Sequence, residues 1–487
     1  MTVWGYISQI PPTGAICLVV GTSDLQLYRR YHFGNSINKT FKENLVLKHC
    51  NQINAKTYHK SNSSDLVNDF TDIVVIGGGI IGSSVAYWLK HTFGNQITCN
   101  VIERDPTYKY CSTTLSAGGI RQQFSLSENI QLSLFSSEFL QNIHKYLTVP
   151  NKDLPDINLK LNGYLLLATD SGAQQLIQNH KLQRDLGADI ELLSIKQLKN
   201  KFPWISTDGV ALASFGKHNE GWFDPWSLLM AFKYKAQSLG VNYLNLDVIG
   251  ANISNSDQID SNGSRVQTCN QLIVRQSDGN VKQLSFGSAI VCCGAFSAQI
   301  AKYLGFGSHN SGIRAVQLPI EPRKRFVYVI NCKTGPKPDS PLLFDTSMTY
   351  FRPEGNGGNY ICGRSPHEND EPDVDNLCVD HSFFESNIWT FLAQRVKAFE
   401  SLKVTNSWSG FYEFNTLDQN AVIGRDPYYS NIYWCAGFSG HGLQMAPAVG
   451  RAITELIENN KYKTIDLTKF GWTRIINNTP IKETNIC

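Results

Sequence analysis

One stretch of the chain indicates its architecture: Asp72-Ile-Val-Val-Ile-Gly77-Gly-Gly79-Ile-Ile-Gly82. The run from Ile73 to Ile76 predicts a buried parallel strand. Three glycines follow in the spacing G-x-G-x-x-G, and apolar residues at helical spacing come directly after them. A second strand is predicted from Ile97 to Ile102, and it ends at Glu103, 21 residues beyond Gly82. This succession of strand, glycine turn, helix, strand and acid predicts a Rossmann-type unit that binds a dinucleotide.

Each part of this unit has a physical task. Gly77 permits the tight turn, Gly79 lets the backbone approach a pyrophosphate, and Gly82 lets helix and strand pack closely. The N-terminus of the helix faces the phosphate charge. Glu103 can accept hydrogen bonds from a ribose diol, and its own charge disfavours a 2′-phosphate.

Two further strand–glycine–helix junctions lie far along the chain. A predicted strand from Ser288 to Cys293 leads into Gly294, and another from Ile432 to Ala436 leads into Gly437-Phe-Ser-Gly440-His441-Gly442. The small polar segment Ser112–Gly119, which includes Gly118, follows Glu103 and suits a backbone that runs beneath a ring system. These junctions predict a cofactor site assembled from distant segments.

A hydrolase is the alternative reading of the last junction. Ser439 lies on a strand-to-helix turn, as the nucleophile of an α/β-hydrolase does. The pattern G-x-S-x-G is not met, however, because its fifth position is His441. We therefore do not favour a hydrolase.

Composition narrows the class of protein. The chain has 487 residues, a length sufficient for two or three domains, and 42% of these residues are hydrophobic. The formal net charge of +3 gives no reason to expect a nucleic-acid partner. The 12 cysteines contain no C-x-x-C pair and no metal-ligand spacing, which indicates a reducing compartment and no metal site.

The N-terminal residues differ in charge from the rest. Residues 1–60 hold seven Lys or Arg against two acids, Asp24 and Glu43. A basic, Asn- and Ser-rich leader that is poor in acids is typical of a mitochondrial transit peptide. We expect such a leader over residues 1–65.

From residue 72 to about 470 the chain resembles the D-amino-acid-oxidase-like superfamily of FAD-dependent oxidoreductases. The resemblance rests on the glycine fingerprint, on Glu103, on Gly221-Trp-Phe-Asp224-Pro225 and on the two later glycine turns. Longer stretches, such as Glu220–Trp226 and Glu321–Phe326, resemble a mitochondrial branch of this family that takes part in assembly of respiratory complex I. The resemblance implies FAD as cofactor, a matrix location that extends to the periphery of the inner membrane, and complex I subunits or assembly intermediates as partners.

The resemblance also implies a domain plan. We expect an α/β (α+β mixed) fold with a Rossmann-type FAD-binding domain and an interleaved substrate domain built on a mixed or antiparallel sheet. The FAD-binding domain would comprise residues 72–150, 215–305 and 405–470, the substrate domain residues 151–214 and 306–404, and the C-terminal tail residues 471–487.

Site residues follow from the same resemblance and from the chemistry of the side chains. Arg121 and Arg352 could each anchor a substrate carboxylate with a bidentate fork. Tyr350 matches by motif the substrate-site tyrosine of the sarcosine oxidases. The residues assigned to catalysis are His441, Tyr350, Arg121 and Gln444. Those assigned to the cofactor are Gly77, Gly79, Gly82, Glu103, Ser112, Gly118, Gly119, Val248, Gly294, Gly440 and Gly442.

Three positions depart from the sarcosine oxidases. Gln444 and Ile361 lie near the positions of two lysines in those enzymes, one of which activates dioxygen. Their absence favours a dehydrogenase of amines or amino acids over an oxidase, and a lysine at position 444 is expected to restore anion binding. Phe411 lies near the position of their flavin-linked cysteine, so we expect noncovalent FAD. A protein that binds FAD without catalysis and acts as an assembly factor is the alternative.

Two charged stretches have no assigned role. The acidic stretch His367–Asp375 is interpreted as a solvated loop. Arg323-Lys-Arg325 is interpreted as a strand edge kept soluble by charge, or as a partner-binding patch.

Overall fold

Two large β-sheets organise the protein. The computed structural model describes residues 70–253, 258–259 and 265–484, so the leader predicted over residues 1–65 lies outside the described residues. The strands, in chain order, are β1 (Phe70–Ile76), β2 (Cys99–Glu103), β3 (Gly119–Ile120), β4 (Tyr164–Ala168), β5 (Ile190–Leu193), β6 (Leu212–Gly216), β7 (Gly221–Trp222), β8 (Val241–Asn252), β9 (Gln258–Ile259), β10 (Arg265–Val266), β11 (Gln271–Gln276), β12 (Val281–Val291), β13 (Ile320–Asn331), β14 (Leu342–Phe344), β15 (Thr349–Glu354), β16 (Asn359–Arg364), β17 (Lys403–Asn415), β18 (Val422–Arg425) and β19 (Ile432–Ala436).

Helices pack against both sheets. In chain order they are α1 (Ile80–Phe93), α2 (Ser127–Gln141), α3 (Ile143–Leu147), α4 (Asp170–Asp185), α5 (Ile195–Lys201), α6 (Pro225–Ser238), α7 (Ser297–Tyr303), α8 (His381–Phe384), α9 (Thr390–Arg395), α10 (Gly442–Asn459) and α11 (Thr473–Ile476). Among the described residues, no helix combines the length and the apolar character that crossing a membrane requires.

The first sheet contains the predicted Rossmann unit. Strand β1 runs parallel to β2 on one side and to the C-terminal half of β12 on the other. Strand β19 continues the parallel array next to β12, and β18 pairs with β19 in antiparallel orientation at the edge. Strands β8, β11 and β12 form an antiparallel meander. Because the C-terminal ends of β1, β12 and β19 lie at one edge, their three glycine turns meet there.

The second sheet is mixed and has eight strands in the order β17-β13-β16-β15-β14-β4-β6-β5. Only the β14–β4 pair in this sheet is parallel. Strand β17 pairs with β13 along its whole length. We expected the chain to return to the FAD-binding domain at residue 405, but it stays in the second sheet up to Asn415. The long pairing with β13 explains the later boundary.

Helix α10 is held against α1 by hydrogen bonds and close packing. Ser84 Oγ donates to the carbonyl of Ala446 at 2.7 Å, and Trp88 Nε1 donates to the carbonyl of Pro447 at 2.9 Å. A Cβ atom on Gly450 would lie 2.4 Å from Ser84 Oγ, so the two helices touch through their backbones. This packing fixes the N-terminus of α10 beside the glycine turn that starts α1.

The C-terminal segment is part of the core. Trp472 is buried and stacks on Phe306 with ring centroids 4.9 Å apart. Arg474 is buried and forms an ion pair with Asp418 at 2.7 Å. The predicted tail therefore packs on the molecule from residue 471 up to residue 484, the last one that the structure describes.

Candidate functional site

A cavity of about 1780 Å³ lies between the two sheets. Its lining extends from the end of β2 at Glu103 to the first turn of α10 at Gln444, and it includes residues of β13, β15 and β16 from the second sheet. All three glycine turns contribute to its wall. The cavity is therefore the place where the distant segments singled out in the sequence meet.

The three fingerprint glycines have different surroundings. A Cβ atom on Gly77, whose φ is +100°, would lie 2.4 Å from the carbonyl oxygen of Cys292. A Cβ atom on Gly82 would lie 1.9 Å from the carbonyl oxygen of Gly77. The protein atoms nearest to a Cβ on Gly79 would be 3.5 Å away, and Gly79 lines the cavity. Gly77 and Gly82 are thus required by the fold, whereas the bare backbone of Gly79 leaves room for a ligand.

Glu103 is oriented by two backbone N–H groups. Its Oε2 accepts from Gly78 at 2.8 Å and its Oε1 from Asp105 at 2.9 Å. Burial raises the pKa of this carboxyl, and the two N–H groups oppose the shift. Each oxygen keeps a lone pair for a further donor. The carboxyl is therefore held ready for a diol at the edge of the cavity.

The other predicted cofactor residues divide into two groups. Gly118 does not belong to the cavity lining; its φ is +79° and a Cβ atom there would lie 2.2 Å from the carbonyl oxygen of Phe223. Gly118 therefore allows its segment to pack closely against the backbone of Phe223, just as Gly82 allows the start of α1 to pack against Gly77. The residues that do line the cavity are Ser112, Gly119, Val248, Gly294, Gly440 and Gly442. At Val248 the pairing of β8 with β11 shifts register, and a bulge of this kind re-aims the local backbone.

The opposite end of the cavity brings Arg121, His441 and Gln444 together. The amide oxygen of Gln444 accepts the backbone N–H of Arg121 at 2.7 Å. The guanidinium of Arg121 lies 3.3 Å from Nε2 of His441 and 4.3 Å from the centre of the Phe124 ring. Gln444 thus positions the arginine through its backbone.

His441 is neutral in this environment. Burial, followed by the neighbouring Arg121 charge, lowers the pKa of His441 to about 3. A neutral imidazole beside a guanidinium offers an acceptor nitrogen and adds no second positive charge. Arg121 therefore supplies a positive charge at this end of the cavity, and His441 does not.

The second sheet contributes Tyr350 but not Arg352. Tyr350 lines the cavity, and burial raises the pKa of its hydroxyl, so the hydroxyl stays protonated. Arg352 does not line the cavity: its Nε donates to the carbonyl of Ala117 at 2.8 Å, and its guanidinium pairs with Glu354. Arg352 therefore holds the segment that precedes Gly118, and the expectation that it anchors a substrate is wrong.

Two carboxyls with raised pKa values, Glu413 and Glu220, received no role from the sequence. Glu413 lines the cavity at the end of β17, and burial raises its pKa to about 7. Glu220 does not belong to the lining; burial raises its pKa to about 7 as well, and it accepts the N–H of Gln122 at 2.5 Å. Glu413 lies in strand β17 without a recognisable motif, and Glu220 appears only as the first residue of the stretch Glu220–Trp226, so the three-dimensional contacts identify the two carboxyls.

The two charged stretches without an assigned role contact each other. The carboxylate of Glu371 accepts two hydrogen bonds from Arg325, at 2.7 and 2.8 Å, and one from Arg323 at 3.0 Å. Arg325, together with Asp375 and Leu377 beyond Glu371, lines the cavity. The acidic stretch is therefore fastened over one side of the cavity by Glu371, and the interpretation of Arg323 and Arg325 as a solvating strand edge is wrong.

These residues fit a flavin adenine dinucleotide. The bare backbone of Gly79 at the start of α1 and the oriented carboxyl of Glu103 suit a pyrophosphate and a ribose. The second and third glycine turns and the start of α10 line the other part of the cavity, where a ring system would lie. Among the described residues there is no group of three or more His, Cys, Asp or Glu placed to hold a metal ion.

Comparison with known proteins agrees with this fit. Residues 72–456 match the family model described as DAO, FAD dependent oxidoreductase. FAD-dependent oxidoreductase domain-containing protein 1 of Xenopus laevis is 48% identical over 431 residues, which cover 87% of this chain and 86% of that protein. Its homologue in Drosophila melanogaster is 36% identical over 437 residues, 88% of this chain and 83% of that protein.

Solved structures show the same fold. An L-proline dehydrogenase from P. horikoshii superposes with a TM-score of 0.70 at 24% identity, over 84% of this chain and 99% of that chain. A glycine oxidase from Geobacillus kaustophilus gives a TM-score of 0.66 at 20% identity, over 83% and 99%. The predicted fold class, family and FAD cofactor are confirmed. This chain belongs to the DAO family of FAD-dependent oxidoreductases.

Proposed function

We propose that this flavoprotein is a dehydrogenase that oxidises a secondary or tertiary amine or an amino acid in the mitochondrial matrix. The observation that carries the proposal is the cation at one end of the cavity, Arg121, held by Gln444 and bordered by a neutral His441. A guanidinium in a partly buried site binds a carboxylate more strongly than one in water. An amino acid or N-alkylated amino acid carries that carboxylate.

The chain supplies three functions around the reacting groups. Arg121 binds and orients the carboxylate of the substrate, and the protonated hydroxyl of Tyr350 offers a hydrogen-bond donor from the second sheet. The N–H groups at the start of α10, near Gly442, favour negative charge in front of them. FAD, when bound, supplies the acceptor for the two electrons of the oxidation.

Two positions support a dehydrogenase over an oxidase. Gln444 is neutral and engaged with the backbone of Arg121, and the side chain of Ile361 is apolar and buried. A cation near the flavin would stabilise the charge that develops when dioxygen takes up an electron. Without one at either position, we expect slow reoxidation by dioxygen and transfer of the electrons to another carrier.

An assembly role is the second candidate, and the two are compatible. The resemblance of Glu220–Trp226 and Glu321–Phe326 to a branch involved in complex I assembly supports it, as does the basic leader. In this proposal the protein binds complex I subunits or assembly intermediates at the periphery of the inner membrane. If FAD served only a structural purpose, substitution of Arg121 would leave complex I assembly unchanged.

The test is an anaerobic screen of amines and amino acids in which bleaching of the bound flavin is followed by absorbance. We expect at least one N-alkylated amino acid to bleach the flavin, and Arg121→Met to weaken its apparent binding about 10- to 100-fold, since a charge-assisted hydrogen bond contributes about 1.5–3 kcal/mol. Arg121→Lys keeps the charge but loses the bidentate fork, so its apparent affinity should lie between those of the wild type and Arg121→Met. Failure of every amine would contradict a dehydrogenase and leave the assembly role.

A further inference from the structure

The carboxyl of Glu413 lies where two of the three glycine turns meet. Its Oε2 accepts the backbone N–H of Gly437 at 2.9 Å. A Cβ atom on Gly294 would lie 3.8 Å from Oε2, and one on Gly442 would lie 3.2 Å from Oε1. Gly294 and Gly442 both line the cavity, as does Glu413 itself. The carboxyl is therefore part of the wall at the ends of parallel strands, where the cofactor of such folds binds.

The neighbours of Glu413 do not neutralise a negative charge. The donors to its oxygens are backbone N–H groups, those of Gly437 and Phe438. Glu413 acts electrostatically on Tyr412 on its own strand and on Cys292 after β12. Burial raises the pKa of Tyr412 to about 12 and that of Cys292 well above its usual value, so both are uncharged near pH 7.

The cations of the paired strand have other partners. Arg323 and Arg325 pair in register with Tyr412 and Gly410, so their side chains leave the face of the sheet opposite to Glu413. Arg325 lines the same cavity, but its guanidinium donates to the carboxylate of Glu371. Lys324 shares the face of Glu413, but its ammonium donates to the carbonyl of Asn376 at 3.2 Å. The nearest side chain of the α10 turn that titrates is His441, which is neutral. Ionised Glu413 would thus be a partly buried charge that no cation pairs with among the described residues.

We propose that Glu413 takes up a proton when the bound flavin is reduced and releases it when the flavin is reoxidised. In the test below a chemical reductant such as dithionite supplies the two electrons, and any protons that the flavin itself takes up also come from solvent. One additional proton moves from solvent to a carboxylate oxygen of Glu413, where an O–H bond forms. Reoxidation breaks this bond and returns the proton to solvent. The step changes no other covalent bond.

The reason is electrostatic. Two electrons add negative charge to the cavity beside a carboxyl that has no counter-ion, and a like charge in a low-dielectric site disfavours ionisation of that carboxyl. The carboxyl is already near its midpoint at neutral pH, since burial raises the pKa of Glu413 to about 7. Above about pH 7 the carboxyl is ionised beside the oxidised flavin, and it becomes protonated beside the reduced one.

The test is the midpoint potential of the FAD-bound protein against pH, without any substrate, for the wild type, Glu413→Gln and Glu220→Gln. The slope above about pH 7 counts the protons taken up per electron pair. We expect Glu413→Gln to take up one proton fewer per electron pair than the wild type. If the flavin itself binds one proton, the slope of the variant is then about twofold smaller than that of the wild type. Glu220→Gln is the control, because burial raises the pKa of Glu220 to about 7 as it does for Glu413, but Glu220 is fully buried and does not line the cavity; it should keep the slope of the wild type.

Equal slopes for the wild type and Glu413→Gln would overturn the proposal. If Glu413→Gln does not fold or does not bind FAD, the wild type alone decides: infrared difference spectra between reduced and oxidised protein must show a protonated carboxyl that appears on reduction. Its absence would also overturn the proposal. Because no amine is added, these results are independent of whether the protein is an amine dehydrogenase.

Discussion

At the residue scale, the site depends on side chains that hold other groups in place. Gln444 is the clearest case, because its amide oxygen accepts the backbone N–H of Arg121 at 2.7 Å, while the guanidinium contacts His441 and donates to the carbonyl of Gln123. Arg352 has a comparable role through the carbonyl of Ala117. Substitutions at such positions are expected to displace the groups that these side chains hold, and to affect the site through that displacement.

We expect Gln444→Lys to weaken the site, in contrast to the anion binding expected from the sequence. A lysine has no acceptor for the N–H of Arg121, and it places a second cation near the guanidinium. Loss of a buried acceptor costs about 1–3 kcal/mol. Thermal unfolding should show a lower Tm than for Gln444→Glu, which keeps an acceptor. A Tm for Gln444→Lys at or above that of the wild type, with tighter carboxylate binding, would show that this reading of Gln444 is incorrect.

The fingerprint glycines give a matched pair. Gly82→Ala should destabilise the protein strongly, because the new Cβ would lie 1.9 Å from a backbone carbonyl. Gly79→Ala should leave the unfolding of the FAD-free protein almost unchanged, since its Cβ meets protein only at 3.5 Å, but should weaken FAD binding. Denaturant unfolding without FAD and fluorescence titration with FAD measure the two effects. Equal loss of stability in both variants would contradict the distinct tasks of the two glycines.

At the element scale, the long strand β17 and the C-terminal segment connect parts of the molecule that the predicted domain plan treated as separate. Strand β17 starts in the second sheet and ends at the glycine turn of the first, which places Glu413 in the cavity wall. The C-terminal segment returns to Asp418, whose carboxylate accepts from Arg474 at 2.7 Å and from the N–H of Ile481 at 3.1 Å. Both connections are made by pairs far apart in the chain.

Breaking the Asp418–Arg474 pair should therefore destabilise the fold. Arg474 has 4% of its side chain exposed and Asp418 has none, so Arg474→Met leaves an uncompensated buried carboxylate. The expected loss is about 3–5 kcal/mol in the free energy of unfolding. The exposed pair Lys397–Glu400 is the control, and Lys397→Met should change the stability by less than about 1 kcal/mol. Similar losses from the two substitutions would argue against a structural role for the C-terminal segment.

At the scale of the whole molecule, the cavity is a product of topology. The sequence predicted the Rossmann unit, Glu103 and the three glycine turns, because strand patterns and glycine spacing are local signals. It did not predict Glu413, the Glu371–Arg325 contact or the orientation of Arg352, because these depend on which strands pair and which face a side chain takes. A one-residue change of register would reverse that face.

Buried carboxyls also make the stability depend on pH. Burial raises the pKa of Glu220 from 4.5 to about 7, so between these values the folded chain holds a proton that the unfolded chain has lost. The free energy of unfolding therefore falls as the pH rises through this window, by about 3 kcal/mol for this group. In Glu220→Gln the contribution is absent, so the stability of the variant relative to the wild type should increase from pH 5 to pH 8. Denaturant unfolding of the FAD-free proteins measures it; a difference independent of pH would contradict the buried carboxyl.

The cofactor site is tested most directly by the visible absorption spectrum of purified residues 61–487, recorded before and after acid precipitation. We predict a flavin spectrum, with the chromophore released into the supernatant, because we expect Glu103, Gly79 and the later glycine turns to hold FAD without a covalent bond. A folded protein that stays colourless when FAD is added would contradict the cofactor site. A chromophore that remains in the precipitate would contradict noncovalent binding.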